Sequence, residues 1–192
     1  MYELSVVLGV LIATARRSDL AALPTLRFRG LWFCFLAFPL KLALFQLGAH
    51  GVGFVVTYGI WLQLSVTVIL LALVAINLHL PGMPVVLVGL MANLLVIAAN
   101  GGKMPATRAA LEISGQPETI PILVARQDPG HILADAQTRL TLLSDWIPLA
   151  ALNHKVVSPG DIVAALGLTI TIGFAIPPRQ RRLPSSTLPP SQ

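Results

Sequence analysis

The groups able to do chemistry are few, and most of them sit beside or inside apolar runs. Lys41 lies in mid-run, Gln63 and Asn93 lie inside two further runs, and Asp161 opens another. An unpaired ammonium at the centre of a bilayer costs at least ~2.5 kcal/mol, so Lys41 requires a partner or water. Pro39, two residues earlier, frees a carbonyl that can accept from it. Gln63 and Asn93 suit hydrogen bonds across helices, each contributing about 0.6 kcal/mol. The Asp161 carboxylate suits the positive end of a helix dipole. The break Asn100-Gly101-Gly102-Lys103-Met104-Pro105 ends a fourth run more elaborately than a turn requires. Its glycines tolerate positive φ and its proline prevents the helix from resuming. A turn needs neither the amide of Asn100 nor the ammonium of Lys103.

Several chemistries are excluded by what is missing. Cys34 is the sole cysteine, so the chain can form neither an internal disulfide nor a thiolate metal site. His50, His79, His131 and His154 stand apart, with no acid at zinc-ligand spacing. Gly48 to Gly53 (GAHGVG) has the glycines of a turn without the spacing of a phosphate or dinucleotide loop. Serine-nucleophile motifs are lacking. The arginines divide between a short connection and a tail, with no nucleic-acid module beside them, so no nucleic-acid partner is expected. No cofactor is called for, although a bound lipid or quinone is compatible with the composition.

That composition sets the expected class. Hydrophobic residues make up 55% of the 192 and charged residues 11%, and mean hydropathy is +0.79. These values predict an all-α membrane protein. The runs Leu31 to Ala49, Phe54 to Leu78, Pro84 to Ala99 and Ile162 to Ile176, with the shorter Tyr2 to Ala15, give a bundle of about five transmembrane helices. Tyr2 to Ala15 reads as a span in preference to a secretory signal, because Arg16 and Arg17 follow the apolar stretch instead of preceding it. Residues 1–177 form one helical domain with an exported loop at 100–160, and 178–192 form a basic Pro/Ser-rich tail. Arg16, Arg17, Arg27 and Arg29 against Asp19, and Arg179, Arg181 and Arg182 in the tail, place both segments in the cytoplasm. The expected location is a bacterial cytoplasmic membrane, with the amino terminus outside. In the loop, Ile120 to Ala125 reads as a strand or extended segment. Ile132, Leu133, Ala136, Leu140 and Leu143 recur at helical spacing, predicting a short interfacial helix that ends before Pro148.

Three blocks, Asn93 to Ala106 (NLLVIAANGGKMPA), Thr138 to Leu149 (TRLTLLSDWIPL) and Val156 to Gly167 (VVSPGDIVAALG), resemble a bacterial family of small multi-spanning membrane proteins catalogued as a domain of unknown function, family 5317. The resemblance covers most of the chain. It implies functional weight at Asn100, Gly101, Gly102, Lys103, Met104 and Pro105, at Asp145, and at Ser158, Gly160 and Asp161. It implies no activity. Asn100, Lys103, Asp145 and Asp161 can form a polar cluster that latches the loop or takes a polar headgroup. The expected role is a non-catalytic accessory or structural subunit packing against other membrane-protein subunits and lipids, as in a larger energy-converting complex. The alternative is a binder or transporter of a small amphiphile, a quinone or lipid, with Lys41 and Asn93 lining its cavity.

Overall fold

A computed structural model describes residues 2–18, 28–30, 39, 53–150, 154–175 and 177; within 53–63 it describes only the backbone, apart from Trp61. The longer helices are α1 (Tyr2–Ala15), α2 (Gly53–Ala75), α3 (Met83–Ala99) and α6 (Pro159–Ala175). Between α3 and α6 lies a layer of short elements. In order these are β1 (Met104–Ala106), α4 (Arg108–Ile113), a 3-10 turn at Pro117–Thr119, α5 (Ile120–Val124), β2 (His131–Leu133), a second 3-10 turn at Thr141–Leu143, β3 (Ile147–Leu149) and β4 (Lys155–Val157).

The expected bundle of about five transmembrane helices is corrected by the described helices. Among the described residues no helix is long and apolar enough to cross a membrane. α1 has 14 residues and α3 and α6 have 17 each. At 1.5 Å per residue they rise about 21 and about 26 Å, against roughly 30 Å of hydrocarbon. In α2 the described side chains are Trp61 and those from Leu64 onward. The candidate span Leu31 to Ala49, with Lys41, lies outside the described residues except for Pro39, as does the tail 178–192.

The loop is also reassigned. Ile120–Val124 is a helix instead of a strand, started by Pro121 in its first turn, where a missing N–H costs nothing. The expected interfacial helix is replaced by β2, the turn at Thr141–Leu143 and β3. Leu140, with φ 56°, breaks the helical path in the middle of that stretch.

Glycine lets the long helices touch. α3 and α6 cross where Gly89 meets Gly160 and Ala164: a Cβ on Gly89 would lie 2.4 Å from the Gly160 carbonyl oxygen and 2.5 Å from the Ala164 nitrogen. α1 packs on the other side of α6 with Gly9 against Ile172. Arg16 closes the far end of this contact. It donates to the Gly173 carbonyl at 2.8 Å and stacks over the Phe174 ring at 4.2 Å, a cation at a helix carboxyl end. The layer has an apolar floor of its own, Ala106, Leu111, Ile120 and Leu123 with Leu133 and Val156, and is joined to α3 through Val96, Ile97 and Met104.

Because backbone, not a flexible side chain, faces Gly89, Gly89→Ala is expected to destabilise the fold by about 1 to 3 kcal/mol in chemical denaturation. A variant as stable as the parent would show that α3 and α6 are free to separate.

Candidate functional site

The layer is organised by β1. Its parallel pairing with β2 sets Met104 opposite His131, Pro105 opposite Ile132 and Ala106 opposite Leu133. Its other edge takes the chain at Asp145: Asp145 donates its backbone N–H to the Pro105 carbonyl at 2.9 Å, and Thr107 donates to the Asp145 carbonyl at 2.9 Å. His131 and Asp145, fourteen residues apart by their numbering, thus flank one strand.

The residues before β1 fix its position. Gly101 and Gly102 take φ of 69° and 86°, and Gly102 donates to the Ile97 carbonyl at 2.8 Å, closing α3. The Asn100 amide donates to Val96 and Arg139 carbonyls at 2.8 and 2.9 Å and accepts from the Arg139 N–H at 2.9 Å. Lys103 donates to the carbonyls of Asp128 and Arg126 at 2.5 and 3.1 Å. Burial lowers its pKa, and the Asp128 charge opposes that shift. Met104 and Pro105 are buried within β1. Among the described residues Lys103 therefore grips backbone and bonds no carboxylate directly.

The grip presents Asp128-Pro129-Gly130-His131 as a turn. One Asp128 oxygen accepts the N–H groups of Gly130 and His131 at 2.8 and 2.6 Å and lies 3.2 Å from the His131 Nδ1. Burial raises the Asp128 carboxyl, but the His131 ring and these N–H groups outweigh it, so its pKa falls below the ordinary value. An ionised carboxylate only accepts, so Nδ1 carries the proton. The other ring nitrogen lies 3.8 Å from one Asp145 oxygen, and the second Asp145 oxygen is buried with no hydrogen-bond partner among the described residues. Asp145 is 6% exposed. Burial pushes its carboxyl up to about 7, helped by the Asp161 charge and opposed by His131. Beside this chain of groups lies a cleft of about 390 Å³, walled by Leu111, Leu123 and Val156 and carrying Gln116, Thr119 and Lys155. Among the described residues no group of three or more His, Cys, Asp or Glu could hold a metal ion.

Asp161 belongs to a second, structural network. Ser158 caps α6, its hydroxyl accepting from the Asp161 N–H at 2.9 Å while the Asp161 carboxylate accepts the Ser158 N–H at 3.3 Å, a reciprocal capping pair. The Asn93 amide donates to Asp161 at 2.9 Å and accepts from the Ser158 hydroxyl at 2.9 Å, and the Tyr2 hydroxyl reaches Asp161 at 3.2 Å. A Cβ on Gly160 would collide with the Asn93 amide oxygen. The three sequence blocks thus divide between two neighbouring networks. Lys41 and the Gln63 side chain lie outside the described residues. Isolation in sequence hid His131 and Asp128, whose turn signal D-P-G-H was there to read, and it hid Lys155.

A sequence profile for a family of unknown function (DUF5317) matches residues 25–173. No curated protein and no solved structure matches the chain.

Two outcomes follow from this geometry. Asn100→Asp, which keeps the acceptor and loses both donors, is expected to cost about 1 to 3 kcal/mol of stability in chemical denaturation. Between the ordinary carboxylate pKa of 3.8 and about 7 the folded state holds a proton on Asp145 that the unfolded state has released. Stability should therefore fall as pH rises through that interval. Asp145→Asn should flatten the dependence, as denaturation midpoints at a series of pH values will show.

Proposed function

The chain belongs to this family of unknown function, and from that premise we propose that it is a non-catalytic accessory subunit, docked through the outer faces of its longer helices onto apolar helices of a membrane-protein partner. The supporting observation is the stripe Val88, Met91 and Leu95 on α3, spaced three and four residues apart and 63%, 42% and 54% exposed. Leu4, Val7, Leu8 and Leu11 on α1, and Ile162, Leu166 and Phe174 on α6, are exposed as well. Contiguous apolar surface of this kind is characteristic of interaction sites, and charged residues are sparse on these helices. Membrane lipid headgroups are the natural neighbours of such an assembly. The buried polar pairs described above hold elements of the chain together, which suits a scaffold.

A photo-crosslinking residue at Leu95 should yield one discrete protein adduct in native membranes, and the same residue at Glu112 in α4 should not. Leu95→Lys should reduce the copurified partner at least about tenfold, the difference expected when a charge is forced into an apolar contact. Adducts with lipid alone, or equal protein adducts from both positions, would overturn the accessory reading.

A further inference from the structure

The cleft beside Asp145 is unrelated to the exposed helix stripe and calls for a different occupant. We infer that it binds a small organic cation with N–H donors and an apolar body, an arylamidinium or primary ammonium, anchored on the Asp145 carboxylate. Asp145 is buried, yet among the described residues one of its oxygens has no donor. A buried acceptor in that condition is a loose end that native structures rarely leave. A neutral carboxyl hydrogen or a ligand N–H can each complete it. The walls restrict the second choice, since Leu111, Leu123 and Val156 offer a ring or short chain an apolar bed in a volume usual for small-molecule sites.

Charge points the same way. Asp128 is held ionised by its turn, and with Asp145 ionised as well the two carboxylates outnumber Lys155, whose side chain is exposed. The groups bearing on Asp145 are His131 from β2, Asp161 from α6 with the Tyr2 hydroxyl of α1 bonded to it, and Asp128 and Lys155 on the cleft lining. Asp161 reinforces attraction for a cation. A proton and the cation compete for the same carboxylate, so binding releases a proton near neutrality.

The test is calorimetric titration of the full chain with benzamidine, whose amidinium matches a carboxylate and whose ring matches the walls. Saturable binding is expected at about pH 8. It should be roughly tenfold weaker at about pH 6, the ratio of ionised Asp145 at the two values for a midpoint near 7. Asp145→Asn should weaken it at least about tenfold at the higher pH, while Glu112→Gln leaves it unchanged. Val156→Trp, which keeps the carboxylate and fills the cleft, should abolish it, so the outcome does not depend on one variant folding. Absence of binding at both pH values, equal affinity at both, or full retention in either cleft variant overturns the inference.

Discussion

The layer between α3 and α6 depends on the backbone pairing of one three-residue strand. β1 is buried at all three positions, so its peptide groups need partners from the protein. They find them on both edges: the Gly130 carbonyl and the Ala134 N–H on the β2 side, and the Asp145 peptide on the other. No short-range pattern could supply these partners, because they come from 24 or more residues away by their numbering. The pairing also fixes the chemistry. It holds the His131 ring and the Asp145 carboxyl on opposite flanks of the same strand, close enough to interact and set in position by β-ladder geometry. The glycines at the end of α3 matter for this reason, since their positive φ turns the chain from the helix into β1.

The asparagines that end helices show how the chain fastens its irregular segments. Asn100 bonds the carbonyl four residues back and pairs with the N–H and carbonyl of Arg139. Asn77, after α2, does the same with Leu73 and with the N–H and carbonyl of Arg29, at 2.7 to 2.8 Å. A side-chain amide can do this because it offers two donors and an acceptor, so one group closes a helix end and grips a remote loop as a strand neighbour would. Asn77 is fully buried. The device is local in one direction and long-range in the other, so sequence shows only half of it.

Legibility followed the range of the interactions. The run Pro84 to Ala99 coincides with α3, because Gly82, Pro84 and Asn100 carry its start and stop signals locally. The carboxylate at the start of α6 could likewise be read from Asp161 alone. The loop could not. Ile132, Leu133, Ala136, Leu140 and Leu143 mimic a helical period, yet β-pairing to Met104 and the positive φ at Leu140 decide the conformation. Ile120 to Ala125 misled in the opposite sense, its branched residues suggesting a strand where Pro121 starts a helical turn. Among the described residues the expected spans fall short at α1, α3 and α6, whose 14, 17 and 17 residues do not reach across the hydrocarbon. The site was hidden because its members are dispersed along the chain and meet only across β1.

The two aspartates show how the same side chain serves opposite ends within one small region. Asp161 accepts from the Asn93 amide, the Tyr2 hydroxyl and the Ser158 N–H, so its charge is satisfied by groups from three elements and it holds α1, α3 and α6 in register. Asp145 feels the Asp161 charge and is more deeply buried, but among the described residues one of its oxygens has no donor and the other has the His131 imidazole at 3.8 Å. Fold stability gives no reason for that arrangement, since a neutral side chain of the same shape would relieve both the desolvation and the repulsion. The strain is local to the cleft, and it ends when a proton or a cation arrives. A carboxylate poised between those two states is suited to binding, whereas its neighbour, fully bonded, is suited to bearing load.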